Sequence, residues 1–433
     1  MSAFRKTEYA IASLHRAQPR ANDAFAGALW VHTDMNPGLK LLQPYPFERL
    51  AALRRDLHPN PTLTPINLSI GEPQNATPQL IHDALIAALP TTAKYPATKG
   101  EAGLRNAIAD WLAGRFQIPR AALDHERMVL PVNGTREALF AVAQAFVASG
   151  TRKSQVLMPN PFYQIYEGAA LLAGGTPYFM PCPAATGFLP DFAAIPPAVW
   201  DDCALVYICS PANPAGTVMS ISQQRLLLEL AERHDFVIVA DECYSELYND
   251  EAHPPPGLLQ VAWASGRSEF QRCLVMHSLS KRSSAPGLRS GFVAGDPTLI
   301  ENFLRYRTYH GSAMPLHVQA ASVAAWRDEA HVIENRRHYR ERFAAVTAIL
   351  HDCLDLTIPA GGFYLWPAVP EDDLELCRRL IANANVTTLP GQFLARESAG
   401  VNPGQGRLRI ALVADLASCV EAAQRIRTVL KSL

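Results

Sequence analysis

Short apolar runs recur through the middle of the chain, each followed by a longer amphipathic stretch. Met128–Val132, Gln155–Met158, Ala204–Cys209, Phe236–Ala240, Cys273–His277 and Gly291–Ala294 have strand length. Between them, Arg136–Ala148 and Ile221–His234 repeat apolar residues at three- and four-residue spacing, as helices with one buried face do. Strands alternating with helices predict a largely parallel sheet covered on both faces. After about residue 316 the pattern changes. Long helical segments dominate there, above all Ala330–Leu350, and only short strands such as Phe363–Trp366 and Arg407–Leu412 intervene. A large domain over residues 72–316 and a smaller α+β domain over 317–433 follow from this. Pro- and Asn-rich turns set residues 35–71 apart as a segment expected to pack with the smaller domain.

Composition narrows the class. The 433 residues carry 39 Lys and Arg against 40 Asp and Glu, with 48% apolar and 18% charged residues. Disorder over most of the chain is excluded. The near-neutral balance leaves no electrostatic footprint for nucleic acid or an anionic membrane. No run approaches the roughly 18 consecutive apolar residues of a membrane helix. The eight cysteines, at 182, 203, 209, 243, 273, 353, 377 and 419, form no C-x-x-C element. Scattered thiols in a long chain fit a reducing cytoplasm. Residues 1–34 differ in texture, with Arg5, Lys6, Arg16 and Arg20 against Glu8 and Asp23. Their apolar run Ala24–Val31 follows an acid and lacks a small-residue cleavage site, so it reads as an extension ahead of a domain start near Met35, not as a secretory signal.

Four stretches carry chemistry. Val275–Lys281 places a lysine among hydroxyls just beyond an apolar strand, the carboxyl edge where open α/β sheets bind ligands. Such a lysine can form a Schiff base with a carbonyl, and Arg289, eight residues on, suits a phosphate or carboxylate. Taken alone, both are also met in ordinary surface loops. Ser278 and Lys281 have the S-x-x-K spacing of penicillin-recognising enzymes, but the companion S-D-N and K-T-G elements are missing from the sequence. Phe236–Ala240 ends in Asp241, a carboxylate that is costly to bury unless a cation such as a protonated pyridine nitrogen faces it. A helix N-cap is the plainer use of such an aspartate. Asn213, in Asn213-Pro214-Ala215-Gly216, either shapes a turn or aims an amide at a ligand oxygen. Val132-Asn133-Gly134-Thr135-Arg136 passes from strand to helix and leaves backbone N–H groups free for phosphate, or simply caps the helix.

In this order the stretches resemble the fold-type I, class I aminotransferases that depend on pyridoxal 5'-phosphate (PLP), over roughly residues 65–412. The chain is particularly similar to the proteobacterial N-succinyldiaminopimelate aminotransferases of lysine biosynthesis. That narrower likeness rests on Leu42–Glu48, Leu130–Leu139, Met158–Gly168 and Arg307–Gly311. It implies a large domain with a mostly parallel mixed sheet flanked by helices, and a smaller α+β domain. It further implies that Lys281 bonds to the cofactor and that Asp241 holds the pyridine nitrogen protonated. Tyr244 and Asn213 would meet its phenolic oxygen, and Tyr163 would stack on its ring. Gly134, Thr135, Arg136, Ser278 and Arg289 would hold the phosphate, joined by Tyr95 from the neighbouring subunit of a homodimer. Arg409 and the Gly71 loop would grip the substrate α-carboxylate. Within Arg305–His310, Arg307, with Tyr309 or His310, is expected to read the distal end of the substrate across the dimer.

The reaction implied is ping-pong transfer of an amino group from N-succinyl-LL-2,6-diaminopimelate to 2-oxoglutarate, with no metal. Another class I aminotransferase, for aspartate, alanine or an acetylornithine-like donor, would share every cofactor residue. So would a β-eliminating lyase on the same fold. A non-catalytic descendant should have lost Lys281 or Asp241, and both are present.

Overall fold

Seven strands form the main sheet in a computed structural model that describes residues 36–148, 150 and 153–432; the extension expected over residues 1–34 lies outside these. After a short strand β1 (Ile66–Asn67), the chain lays down β2 (Val129–Val132), β3 (Gln155–Asn160), β4 (Thr176–Pro181), β5 (Cys203–Cys209), β6 (Val237–Asp241), β7 (Cys273–Ser278) and β8 (Gly291–Gly295). Their order across the sheet is β2-β8-β7-β6-β5-β3-β4, with β8 antiparallel to both neighbours and every other pairing parallel. The sheet is thus the mostly parallel, mixed one expected.

Alternation along these strands sorts side chains onto two faces. Val206, Ile208, Ile238, Ala240 and Val275 turn to one side, where they pack with Leu112, Leu227 and Leu258 of covering helices. Leu205, Tyr207, Val239, Leu274 and Met276 turn to the other, against Leu139, Val142 and Tyr166. Both faces are therefore dry, and the strands read as continuous apolar runs. The edge strand β4 escaped sequence detection for a related reason. Prolines at 177 and 181 and half-exposed side chains give it no such run, and proline is tolerated only at an edge.

The remaining strands, β9 (Tyr364–Leu365), β10 (Val386–Thr387), β11 (Leu389–Pro390) and β12 (Leu408–Ala411), serve a second core. β12 lies between β11 and β9 in an antiparallel sheet, and β10 pairs in parallel with β1. Leu50, Ile66 and Leu68 of the N-terminal segment pack there with Phe343, Leu376, Ile410 and Ile426. The helix Leu316–Arg327, assigned by pattern to the smaller unit, instead buries Val318, Ala321, Ala325 and Trp326 in the core of the seven-stranded sheet. An amphipathic helix reads the same whichever core receives it. From Gly38 onward the chain closes into one compact unit. No described helix is long and apolar enough to cross a membrane.

Candidate active site

The ends of β2, β5, β6 and β7 and the start of β8 meet at one sheet edge, where Gly291 pairs with both Val132 and Ser278. A cavity of about 470 Å³ opens beside it. The edge explains how residues far apart in sequence converge. Parallel strands all finish on the same side, and the backbone that leaves them is free to shape a pocket.

Asp241 ends β6 and is only 4% exposed. Its Oδ2 accepts from the Tyr166 hydroxyl at 2.7 Å and its Oδ1 from the Cys243 backbone N–H at 3.3 Å. Burial pushes its carboxyl above the usual range, while bonds from Cys243 and Tyr166 pull it back. Ser278, ending β7, caps the short helix Leu279–Arg282 by accepting from Ser280 N at 3.0 Å. That turn sends Lys281 into the cavity, where its ammonium donates to the Gly71 carbonyl. Burial lowers the Lys281 amine to about 8, reinforced by the cationic Arg409 and Arg289 and opposed by Cys243 and Glu72.

The strand-to-helix passage after β2 needs its glycine. Gly134 has φ +83°, and a Cβ there would come within 2.3 Å of Arg289 Nη2. Only glycine lets that guanidinium lie against the first turn of the helix Thr135–Phe146. Thr135 Oγ1 stands 2.9 Å from Cys243 Sγ, and the Arg136 guanidinium sits 5.6 Å from the centre of the Tyr45 ring. Tyr163 forms a wall of the cavity, its hydroxyl held protonated by burial and by Tyr45.

The second core supplies the opposite wall. Arg409 of β12 is 4% exposed and lies 4.5 Å over the Tyr364 ring. It donates to Asn213 Oδ1 at 3.0 Å and to the Ser69 carbonyl at 2.7 Å, while its Nε has no hydrogen-bond partner among the described residues. Tyr244 and Tyr364 share a hydroxyl contact of 3.1 Å, and a Cβ on Gly71 would collide with the Tyr364 hydroxyl.

Gly71, Thr135, Arg136, Tyr163, Asn213, Asp241, Tyr244, Ser278, Lys281, Arg289 and Arg409 therefore line one cavity, with Gly134 directly behind Arg289. Two expected residues stand elsewhere. Tyr95 is fully exposed on a separate groove with Pro96, Gly311 and His317. Arg307 is 0% exposed, paired with the Glu137 carboxylate and donating to the Ser312 carbonyl at 3.2 Å. The reading of Arg307 as a distal substrate contact is corrected here: its guanidinium has no exposed surface and is held against the Glu137 carboxylate of its own chain, so no donor of it reaches a ligand outside. Tyr309 is exposed, and His310 Nδ1 lies 2.9 Å from Ser312 Oγ.

Sequence reasoning missed Tyr45, Glu72, Tyr166, Cys243 and Tyr364, all in or against this site. Tyr45 and Tyr166 did lie inside strings that stood out, Leu42–Glu48 and Met158–Gly168. Tyr364 follows the Gly361-Gly362 pair, which a turn explains just as well.

The residues fit PLP on their own chemistry. A buried carboxylate and an amine of lowered basicity line the same cavity, a glycine cradle brings Arg289 to a helix start, and a buried arginine keeps one donor unpaired. Residues 64–426 match the family described as aminotransferase class I and II. An aminotransferase from Neisseria meningitidis superposes with a TM-score of 0.87 at 48% identity, over 91% of this chain and 99% of that one. A structure described as a probable N-succinyldiaminopimelate aminotransferase from Thermus thermophilus does so with a TM-score of 0.78 at 27% identity, over 89% and 100%. The LL-diaminopimelate aminotransferase of Desulforudis audaxviator is 32% identical over 395 residues, 90% of this chain and 96% of that protein. With its fold, its cavity and these relatives in agreement, the chain belongs to the class I and II aminotransferases, a PLP-dependent family.

Proposed function

We propose that this aminotransferase takes N-succinyl-LL-2,6-diaminopimelate as amino donor and 2-oxoglutarate as acceptor, giving N-succinyl-2-amino-6-oxopimelate and glutamate. The observation that carries the chemistry is the convergence of Lys281, Asp241, Arg289 and Arg409 on one 470 Å³ cavity. When bound, PLP supplies a reactive aldehyde and a ring that draws electrons from the substrate α-carbon. The chain's own residues do the rest. Arg289, with the hydroxyls of Thr135 and Ser278 and the helix N–H groups after Gly134, would hold the phosphate. Asp241 would keep a proton on the ring nitrogen, Tyr163 would face the ring, and Tyr244 with Asn213 would meet its phenolic oxygen. Arg409, braced by Asn213 and Ser69, would meet the α-carboxylate. Lys281 Nζ would take the proton from the substrate α-carbon as base and hand it on as acid. An amine lowered to about 8 is a competent base near neutral pH.

Charge supports the succinylated donor, which has three carboxylates and one ammonium. Beyond Lys281, Arg289 and Arg409, the cavity has one more cation, Arg136, exposed over Tyr45 with no ion pair among the described residues. The Thermus thermophilus protein carries that activity in its name at 27% identity. A second reading is LL-diaminopimelate itself, which has two ammonium groups. The names of several relatives at 29–32% identity favour it, and so does Glu72, a carboxylate in the same cavity. Steady-state rates on the two donors with 2-oxoglutarate decide. At least a 10-fold higher kcat/KM for the succinylated donor, about 1.4 kcal/mol, is expected. The reverse preference assigns the free diamine instead. Eight free cysteines are consistent with the cytoplasmic setting of such a biosynthetic step. The exposed Tyr95, remote from its own cavity, supports a homodimer in which it completes a partner's site.

A further inference from the structure

Tyr166 is 0% exposed and lies outside every role assigned above. Its ring stacks face to face on Tyr207, centroids 4.6 Å apart and planes within 9°. Tyr207 is itself pinned, its hydroxyl donating to the Leu139 carbonyl at 2.6 Å. Tyr166 also meets Tyr163, the aromatic cavity wall, edge to face at 5.8 Å. Packing alone explains a phenylalanine at this place. The hydroxyl is different, because an unpaired one inside an apolar cluster is costly. It donates to Asp241 Oδ2 at 2.7 Å, beside the Cys209 thiol.

We infer that Tyr166 is the positioning residue of Asp241: its hydroxyl clamps one carboxylate oxygen and keeps the group ionised and aimed at the ring nitrogen of the cofactor. The inference rests on the PLP reading of the cavity and extends it to a residue that touches neither cofactor nor substrate. A carboxylate offers about four acceptor sites. Tyr166 and Cys243, the latter through both its N–H and its thiol, take at most three of these, which leaves room for a ring N–H. The other titratable groups around Asp241 are Cys209 on β5, His277 on β7, Cys243 and the cavity-wall Tyr163. Burial works against ionisation at this site, and a protonated Asp241 could not hold a proton on the ring. A phenol kept neutral by its own burial is a suitable opposing donor, since it gives a hydrogen bond without adding a second charge.

The test is Tyr166→Phe in the PLP-loaded protein, with Tyr207→Phe as control because that hydroxyl faces a backbone carbonyl, not Asp241. Three readouts are taken: PLP dissociation constant, pH titration of the visible absorption band, and kcat. Tyr166→Phe is expected to weaken PLP binding about 10-fold, equal to about 1.4 kcal/mol. It should also move the midpoint of the visible band upward, because a ring that loses its proton no longer repels the proton at Lys281. Tyr207→Phe should move neither. The double variant with Asp241→Asn should be no worse than Asp241→Asn alone, since the hydroxyl acts through the carboxylate. An unshifted band and unchanged PLP affinity in Tyr166→Phe overturn the inference while leaving the aminotransferase reading intact. A wild-type protein that takes up no PLP overturns both. If Tyr166→Phe fails to fold, 3-fluorotyrosine at 166 keeps the ring and strengthens the donor. The band midpoint should then move downward, and an unmoved midpoint overturns the inference.

Discussion

Lys281 shows how much one side chain owes to its surroundings. In water its amine would stay protonated through any physiological pH. In the cavity, burial first and the nearby Arg409 and Arg289 second lower it to about 8. Only the neutral amine attacks an aldehyde, so this shift governs PLP uptake. The neutral fraction grows as pH rises through 8, which fixes the sign. When PLP is added to the cofactor-free protein, the rate of visible-band formation should rise with a midpoint near pH 8. A midpoint near 10 would mean that the amine is solvated in the protein that meets the cofactor. Borohydride reduction should then leave the pyridoxyl group fixed on the peptide containing Lys281. The sequence located this lysine through its place after a strand and among hydroxyls. It could not supply the lowered basicity, because the burial that chiefly causes it, and the arginines on β12 and before β8 that add to it, exist only in the folded chain.

At the scale of elements, Arg307 belongs to the helix Pro297–His310 and Glu137 to the helix Thr135–Phe146. Their ion pair ties two helices that cover the same face of the main sheet. Glu137 is partly exposed, which softens the pair, but Arg307 is fully enclosed and also lies 5.6 Å from the Phe303 ring centre. Arg307→Ala should therefore cost roughly 3 kcal/mol in urea unfolding, at the lower end for a broken buried pair. Its effect on kcat/KM should be equal for the succinylated donor and for alanine. A selective loss of 10-fold or more on the succinylated donor would restore a substrate contact for this residue. The hexapeptide Arg305–His310 illustrates a limit of reading by sequence. Arginine, tyrosine and histidine in one helical turn suit recognition equally well whether they face a ligand or a neighbouring helix.

At the scale of the whole molecule, the cavity lies between two cores. Lys281 and Asp241 come from the seven-stranded sheet, whereas Arg409 and Tyr364 come from the small antiparallel sheet. Tyr95 stands on neither wall. If it completes the site of a partner protomer, two defective chains should complement each other. Tyr95→Phe and Lys281→Ala, each weak or inactive alone, would place both lesions in one site of a mixed dimer and leave the other intact. Random re-pairing of equal amounts is expected to recover about a quarter of wild-type activity, as in a two-fold symmetric dimer. Absence of recovery, or a monomer in sedimentation, would count against the shared site.

What the sequence determined by itself was local and ordered. The apolar runs set the strands to within a residue or two, and the residue just after each run set the chemistry at the sheet edge. Lys281, Asp241, Asn213 and Thr135 were legible because parallel strands must all end on the same side. Three things were decided only by tertiary structure. Arg307 turned from ligand contact to helix tie because the partner of a cation is chosen by packing. The helix Leu316–Arg327 joined the large core because an apolar stripe does not name its acceptor. Tyr166 met Asp241 across 75 residues because a helix after β3 delivers it to the end of β6, a proximity that exists only once the strands have taken their order in the sheet.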